Sequence, residues 1–112
     1  MDIKFLKYNN KNYFQDSFDN LKDRKLKIII HQRFQKIVEN GHLGKINFIS
    51  DSIFELKFKI GSGYRIYYIQ DGKEIIIILC SGNKSSQKRY ILKAKQILKF
   101  YRIGEKLTFD SF

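Results

Sequence analysis

The chain has 112 residues, enough for one domain with a modest core that needs neither disulfides nor a metal. Hydrophobic residues make up 43% and aromatics 15%, which excludes a disordered chain, and the longest aliphatic run, Ile75 to Leu79, is far too short to span a bilayer. A net charge of +11, from 22 Lys+Arg against 11 Asp+Glu, attracts polyanions over a distance and makes nucleic acid the leading class of partner, although a codon bias toward Lys, Ile and Asn gives the same balance without any site.

The start, MDIKFLKYNNKNYF, carries lysine throughout and has no apolar core of signal-peptide length. With the single Cys80, read as a small buried apolar residue, this fits a protein of the reducing cytoplasm. Ile3 to Tyr8 alternates in part and suits a first strand, and Asn9 or Asn10 offers an N-cap. Phe14, Phe18 and Leu21 recur at i, i+4 and i+7, which predicts a helix over about 11–21. Leu26, Ile30, Phe34, Ile37 and Val38 form the stripe of a second helix that begins after Lys22 or Asp23 and stops at Asn40-Gly41. The two make a hairpin. Its wet side carries Lys22, Arg24, Lys25, Lys27, Arg33 and Lys36, most simply a solvated face. His31 and His42 stand at no metal-binding spacing with each other or with Cys80, and no metal or other cofactor is expected.

A connector with a short strand at 45–49 leads to a meander of antiparallel strands from Ile53 to Ser86. Phe54, Leu56, Phe58 and Ile60 alternate with Glu55, Lys57 and Lys59, the period of a strand with one buried and one wet face. A three-residue turn at Gly61-Ser62-Gly63 pairs Ile60 with Tyr64, Phe58 with Ile66 and Leu56 with Tyr68, and so sets Lys59 opposite Arg65 and Lys57 opposite Tyr67. Asp71-Gly72 suits a two-residue type I′ turn, which pairs Tyr68 with Ile75, Ile66 with Ile77 and Tyr64 with Leu79. Lys57, Lys59 and Arg65 then share one face, where like charges repel unless an anion relieves them. Lysines on a solvated strand that discourage edge pairing are the plain alternative, and Arg65, on the middle strand, tips the balance toward a site.

The strand Ile75 to Leu79 is apolar at every position, as expected when both faces are covered, and the C-terminal segment is the best shield for Ile76 and Ile78. Ser85 or Ser86 caps a third helix with Ile91, Ala94, Leu98 and Tyr101 on one side and Lys84, Lys88, Arg89, Lys93, Lys95 and Lys99 exposed. From residue 103 to 112 the pattern lapses into a possible tail, whose Leu107, Phe109 and Phe112 either dock on the body or face a partner. The expectation is one α+β domain over 1–112: an antiparallel sheet of about four strands, an N-terminal helical hairpin on one face and a C-terminal helix.

The block Gly63-Tyr64-Arg65-Ile66-Tyr67, then Asp71-Gly72, the aliphatic run, and Gly82-Asn83-Lys84-Ser85-Ser86-Gln87 entering a helix with Ala94, resembles the phage-derived Gp49-like, HigB-type branch of the RelE/ParE toxin superfamily. That resemblance implies a RelE-like fold and a toxin held by an antitoxin, often of the helix-turn-helix type. It also implies metal-independent cleavage of mRNA on the ribosome, the substrate 2′-hydroxyl attacking its own phosphate, with translation as the target. Cations must then surround the phosphate, with a base and an acid for the two oxygens. Arg65 matches the arginine of the family's Tyr-Arg strand and Lys84 its basic residue after the last strand, with Lys57 and Lys59 as further cations. Tyr90 falls where some members carry an aromatic that stacks on a base or aids proton transfer; Lys88 and Arg89 join the RNA-binding set. The chain has Ser81-Gly82-Asn83-Lys84 where the branch often has Gly-Gly-Asp-Lys, and no histidine lies in the meander, so proton transfer falls to lysine or tyrosine. A gyrase inhibitor of the ParE kind and a basic binding module without cleavage are the alternatives.

Overall fold

The computed structural model describes residues 1–112. It contains strands β1 (Asp2–Tyr8), β2 (Lys11–Asn12), β3 (Ile46–Ser50), β4 (Ile53–Phe58), β5 (Tyr64–Asp71), β6 (Ile75–Asn83) and β7 (Leu107–Ser111), with helices α1 (Tyr13–Asp19), α2 (Arg24–Asn40) and α3 (Gln87–Ile103). A 3₁₀ turn over Lys84–Ser86 precedes α3. The α+β class holds, but the sheet has seven strands and is mixed. Its order is β2-β1-β6-β5-β4-β3, with β7 on the other side of β1, and β1 runs parallel to β6 through pairs such as Ile3 with Ile76. The expected first strand is β1, but the four-stranded antiparallel expectation lacked β2 and β7 and the parallel pairing of β1 with β6, because the periodicity of a segment does not show which distant strand it meets and the β1–β6 and β1–β7 pairings span most of the chain.

Asn9 and Asn10, expected as a helix cap, instead form the tight turn between β1 and β2 with φ of 51° and 67°. The cap is Asn12, whose side chain accepts from the Gln15 amide at 2.9 Å. Asp23 caps α2 through the Leu26 amide, and Gly41, with φ of 70°, closes it. At α3, neither serine caps as expected; the Asn83 side chain accepts from the Ser86 amide at 3.2 Å.

Each face of the sheet has its own core. Phe14 of α1 and Leu26, Ile30, Phe34 and Ile37 of α2 cover Leu56, Phe58, Tyr64, Ile66, Tyr68, Ile76 and Ile78. Ala94, Ile97 and Leu98 of α3 cover Ile53, Tyr67, Ile69, Ile77, Leu79 and Cys80. Ile76 and Ile78 are therefore shielded by the helical hairpin, not by the C-terminal helix, which takes the alternate residues. Burial pushes the Cys80 thiol up to about 12 and leaves it inert.

Both predicted turns are longer than expected. Lys57 pairs with Arg65, Leu56 with Ile66 and Phe54 with Tyr68, so the first loop has five residues and the register moves by two, which preserves the faces. Asp71 pairs with Ile75 and Tyr68 with Ile78, and a bulge follows at Tyr67/Tyr68. The residues from 103 onward are not a loose tail beyond the helix. β7 pairs with β1 from Lys4–Ser111 to Tyr8–Leu107, and the Phe112 ring packs edge-on to Phe34 at 5.4 Å. No helix is long and apolar enough to cross a membrane.

Removing residues 104–112 strips β1 of one ladder and uncovers Phe34. Urea denaturation should show a loss of about 3 kcal/mol; a loss below about 1 kcal/mol would mean that β7 contributes little to the fold.

Candidate functional site

The register lines up one transverse row at the end of the sheet where α3 begins. Lys45 lies opposite Lys57, whose amide donates to the Lys45 carbonyl at 3.0 Å; Lys57 pairs with Arg65, and Arg65 with Gly82. These side chains share the face that α3 covers, but α3 begins only at Gln87 and shields the Gly82 end. A Cβ on Gly82 would lie 2.1 Å from the Tyr90 ring, so the ring rests flat on the Gly82 backbone beside Arg65. The Arg89 guanidinium lies over that ring, 5.1 Å from its centroid, and donates to its hydroxyl at 3.5 Å.

Arg65 is only 7% exposed and its partner Glu55 only 1%. The Arg65 Nε stands 3.5 Å from Glu55 Oε1 without a hydrogen bond, and its Nη1 donates to the Tyr64 carbonyl at 3.2 Å. Glu55 also accepts from Asn47 Nδ2 at 3.1 Å and from Gln87 Nε2 at 3.0 Å. The strand that alternation read as wet on the Glu55 side is covered there, because Gln87 and Tyr67 close over the carboxylate. Burial, and then the Glu55 charge, raise the Tyr67 phenol above its ordinary range. Its hydroxyl is buried without a partner.

The structure brings Arg65 and Lys84 together around Gly63. A Cβ on Gly63 would lie 3.3 Å from both Arg65 Nη1 and Lys84 Cβ, its φ is +90°, and its carbonyl accepts from the Lys84 amide at 3.1 Å. Any side chain at 63 would press on the Arg65 guanidinium and on the hydrocarbon stem of Lys84. Lys84, Lys88 and Arg89 line an open hollow of about 530 Å³ with Ser85, Ser86 and Gln87, and no hydrophobic residue borders it. Lys59 does not pair with Arg65 as expected; it lies past the end of β4, with Lys45 and Lys57 as neighbours. The close approach and like charge of Lys59, with a smaller contribution from Lys57, hold the Lys45 ammonium below its ordinary pKa. The crowded lysine is thus one that the strand pattern did not single out.

Arg33, grouped above with the solvated face of α2, turns inward. Its Nε donates to the Leu43 carbonyl at 2.9 Å, its Nη2 to the Lys45 carbonyl at 2.6 Å and its Nη1 to the Lys57 carbonyl, while the guanidinium lies 4.5 Å over the Phe58 ring. Desolvation lowers its pKa. Arg33 fixes the backbone from which Lys45 and Lys57 project. Glu55, Lys45, Arg33 and Gln87 were all missed as site residues; the one available signal was Glu55 itself, the sole acid in a strand otherwise carrying lysines. No group of three or more His, Cys, Asp or Glu converges anywhere.

The chain can thus present four or five cations to an anion across a sheet end that carries an aromatic platform. Residues 16–102 match the family described as phage-derived protein Gp49-like. An uncharacterised protein of Haemophilus influenzae is 35% identical over 82 residues, 73% of this chain and 82% of that protein. No solved structure matches the chain.

Replacing Glu55 by Ala leaves Arg65 buried without its carboxylate and frees Gln87 and Asn47. Unfolding in urea should show a loss of about 3–5 kcal/mol; a loss within about 1 kcal/mol would mean that the pair does not hold the site.

Proposed function

From the premise that the chain belongs to the phage-derived Gp49-like family, which is associated with the toxins of toxin–antitoxin systems, we propose that it is an endoribonuclease that cuts mRNA on the ribosome and so stops translation. The observation that carries this reading is the row Lys45, Lys57 and Arg65, with Lys84 beside it and the Tyr90 ring at its end. The partners follow from the same reading: mRNA, the ribosome, and an antitoxin of the helix-turn-helix type, in the cytoplasm.

In this mechanism a substrate phosphate sits between Arg65 and Lys84, and a neighbouring base stacks on Tyr90. The substrate 2′-oxygen attacks the adjacent phosphorus, the bond to the 5′-oxygen breaks, and a cyclic phosphate and a free 5′-hydroxyl result. Negative charge grows on the non-bridging oxygens in the transition state, so preorganised cations there lower the barrier. The proton of the 2′-hydroxyl needs an acceptor. Lys45, whose charged form is disfavoured by Lys59 and Lys57, is one amine of the row that can take it, and a protonated lysine of the row can supply a proton to the leaving oxygen. Glu55 acts through Arg65, as its positioning residue.

Arg65→Ala alone is a poor test, because it strands the buried Glu55 charge. Lys57 and Lys84 are solvent-accessible, so Lys57→Ala with Lys84→Ala leaves the core untouched. On induction in cells, the parent should stop incorporation of labelled methionine before plasmid supercoiling changes, and the double variant should lose about a hundredfold or more of that activity. Relaxed plasmid with translation intact would replace this reading with the gyrase-inhibitor one. Neither effect would leave the basic binding module.

A further inference from the structure

Both edges of the sheet are strands, and they differ. β7 has Asp110 within it and Lys7 bridging to that residue at 3.6 Å. β3, Ile-Asn-Phe-Ile-Ser, has no charge at all, although an uncharged open edge invites another strand. Its Phe48 is 62% exposed and its Ile46 36%. Phe48 ends an aromatic ladder that runs out from beneath α2, Tyr68 to Phe54 at 5.7 Å and Phe54 to Phe48 at 5.4 Å. The Lys57 amide bonds the Lys45 carbonyl, so the alternation of an antiparallel ladder turns the backbone groups of Ile46 and Phe48 outward, away from β4.

We propose that the open edge of β3 receives an extended segment of a partner protein in which apolar and acidic residues alternate. Main-chain hydrogen bonds would form with Ile46 and Phe48. Residues opposite these two fall on the α2 face and meet exposed apolar surface. The alternate residues fall on the other face, where Lys45, Lys57 and Lys59 crowd together without a carboxylate between them. Carboxylates there relieve that repulsion and cover one end of the cationic row. The charge pattern argues against a second copy of this chain, which would bring another lysine trio and another net charge of +11 to the same edge. The inference does not depend on what the row does to RNA.

The test is an NMR titration of the full chain, labelled with ¹⁵N, by three synthetic seven-residue peptides: one alternating Glu with Val or Ile, one of the same composition with the acids in a block, and one alternating Lys with Val or Ile. The alternating acidic peptide should shift the amides of Ile46–Ser50 saturably and slow hydrogen exchange at Ile46 and Phe48. Phe48→Ser should weaken it about tenfold, and Lys45→Glu should weaken it and favour the basic peptide instead. Equal binding of the block peptide, shifts scattered over the basic surface, or no binding would overturn the proposal. A dimer of the free chain through β3, seen by sedimentation, would assign the edge to a second copy.

Discussion

A carboxylate almost wholly removed from water is stable only if its charge is met, and Glu55 is met from three directions. Arg65 supplies the opposite charge from β5, Asn47 a hydrogen bond from β3, and Gln87 another from the first residue of α3. A buried pair of this kind adds little net stability over an apolar replacement, since desolvation offsets most of the attraction. What it contributes is geometry. It ties three strands and a helix terminus to one point, and it keeps the Arg65 guanidinium at the sheet end with Nη1 beside Gly63 and Lys84. The rest of the candidate site is built outward from that point, with Tyr90 laid on Gly82 and Lys57 set directly across from Arg65.

A second constraint comes from Arg33, which has no carboxylate partner. Its donors end on three carbonyls of the connector and β4, and the hydrocarbon and ring of its neighbours desolvate it. The result is a fixed backbone carrying Lys45 and Lys57 as neighbours despite their mutual repulsion. Energy of this sort is recovered when an anion arrives, whether a phosphate at the row or a carboxylate at the β3 edge. The proposed polyanionic substrate and the proposed acidic partner therefore draw on one surface.

Local periodicity made the helices and the central strands legible. The stripes Leu26-Ile30-Phe34-Ile37 and Ala94-Leu98 lie on the buried faces as read, and Phe54, Leu56 and Phe58 keep the face assigned to them although the register slid by two. What depends on distant pairing was not legible. β1 finds β6 and β7 across most of the chain, and the residues of β7 carry only a weak alternation of their own. Arg65 and Lys84 were within reach of pattern, as a cation on a middle strand and a basic residue after the last one. Glu55 left only the weak trace of one acid among lysines, because its alternation with apolar neighbours looks the same whether the far face meets water or a helix N-terminus. Lys45 was hidden for a similar reason: it sits in a connector, and only the β3–β4 pairing brings it beside Lys57.

The cationic row is proposed to act on RNA in the ribosome. Primer extension on a reporter mRNA in a reconstituted translation reaction, with and without ribosomes, tests this most directly. The comparison variant joins Arg65→Ala to Glu55→Gln, which removes the central cation without leaving a buried charge. The account predicts cuts that need ribosomes and vanish in the variant; an intact message with the parent chain, or cuts that persist unchanged in the variant, would contradict it.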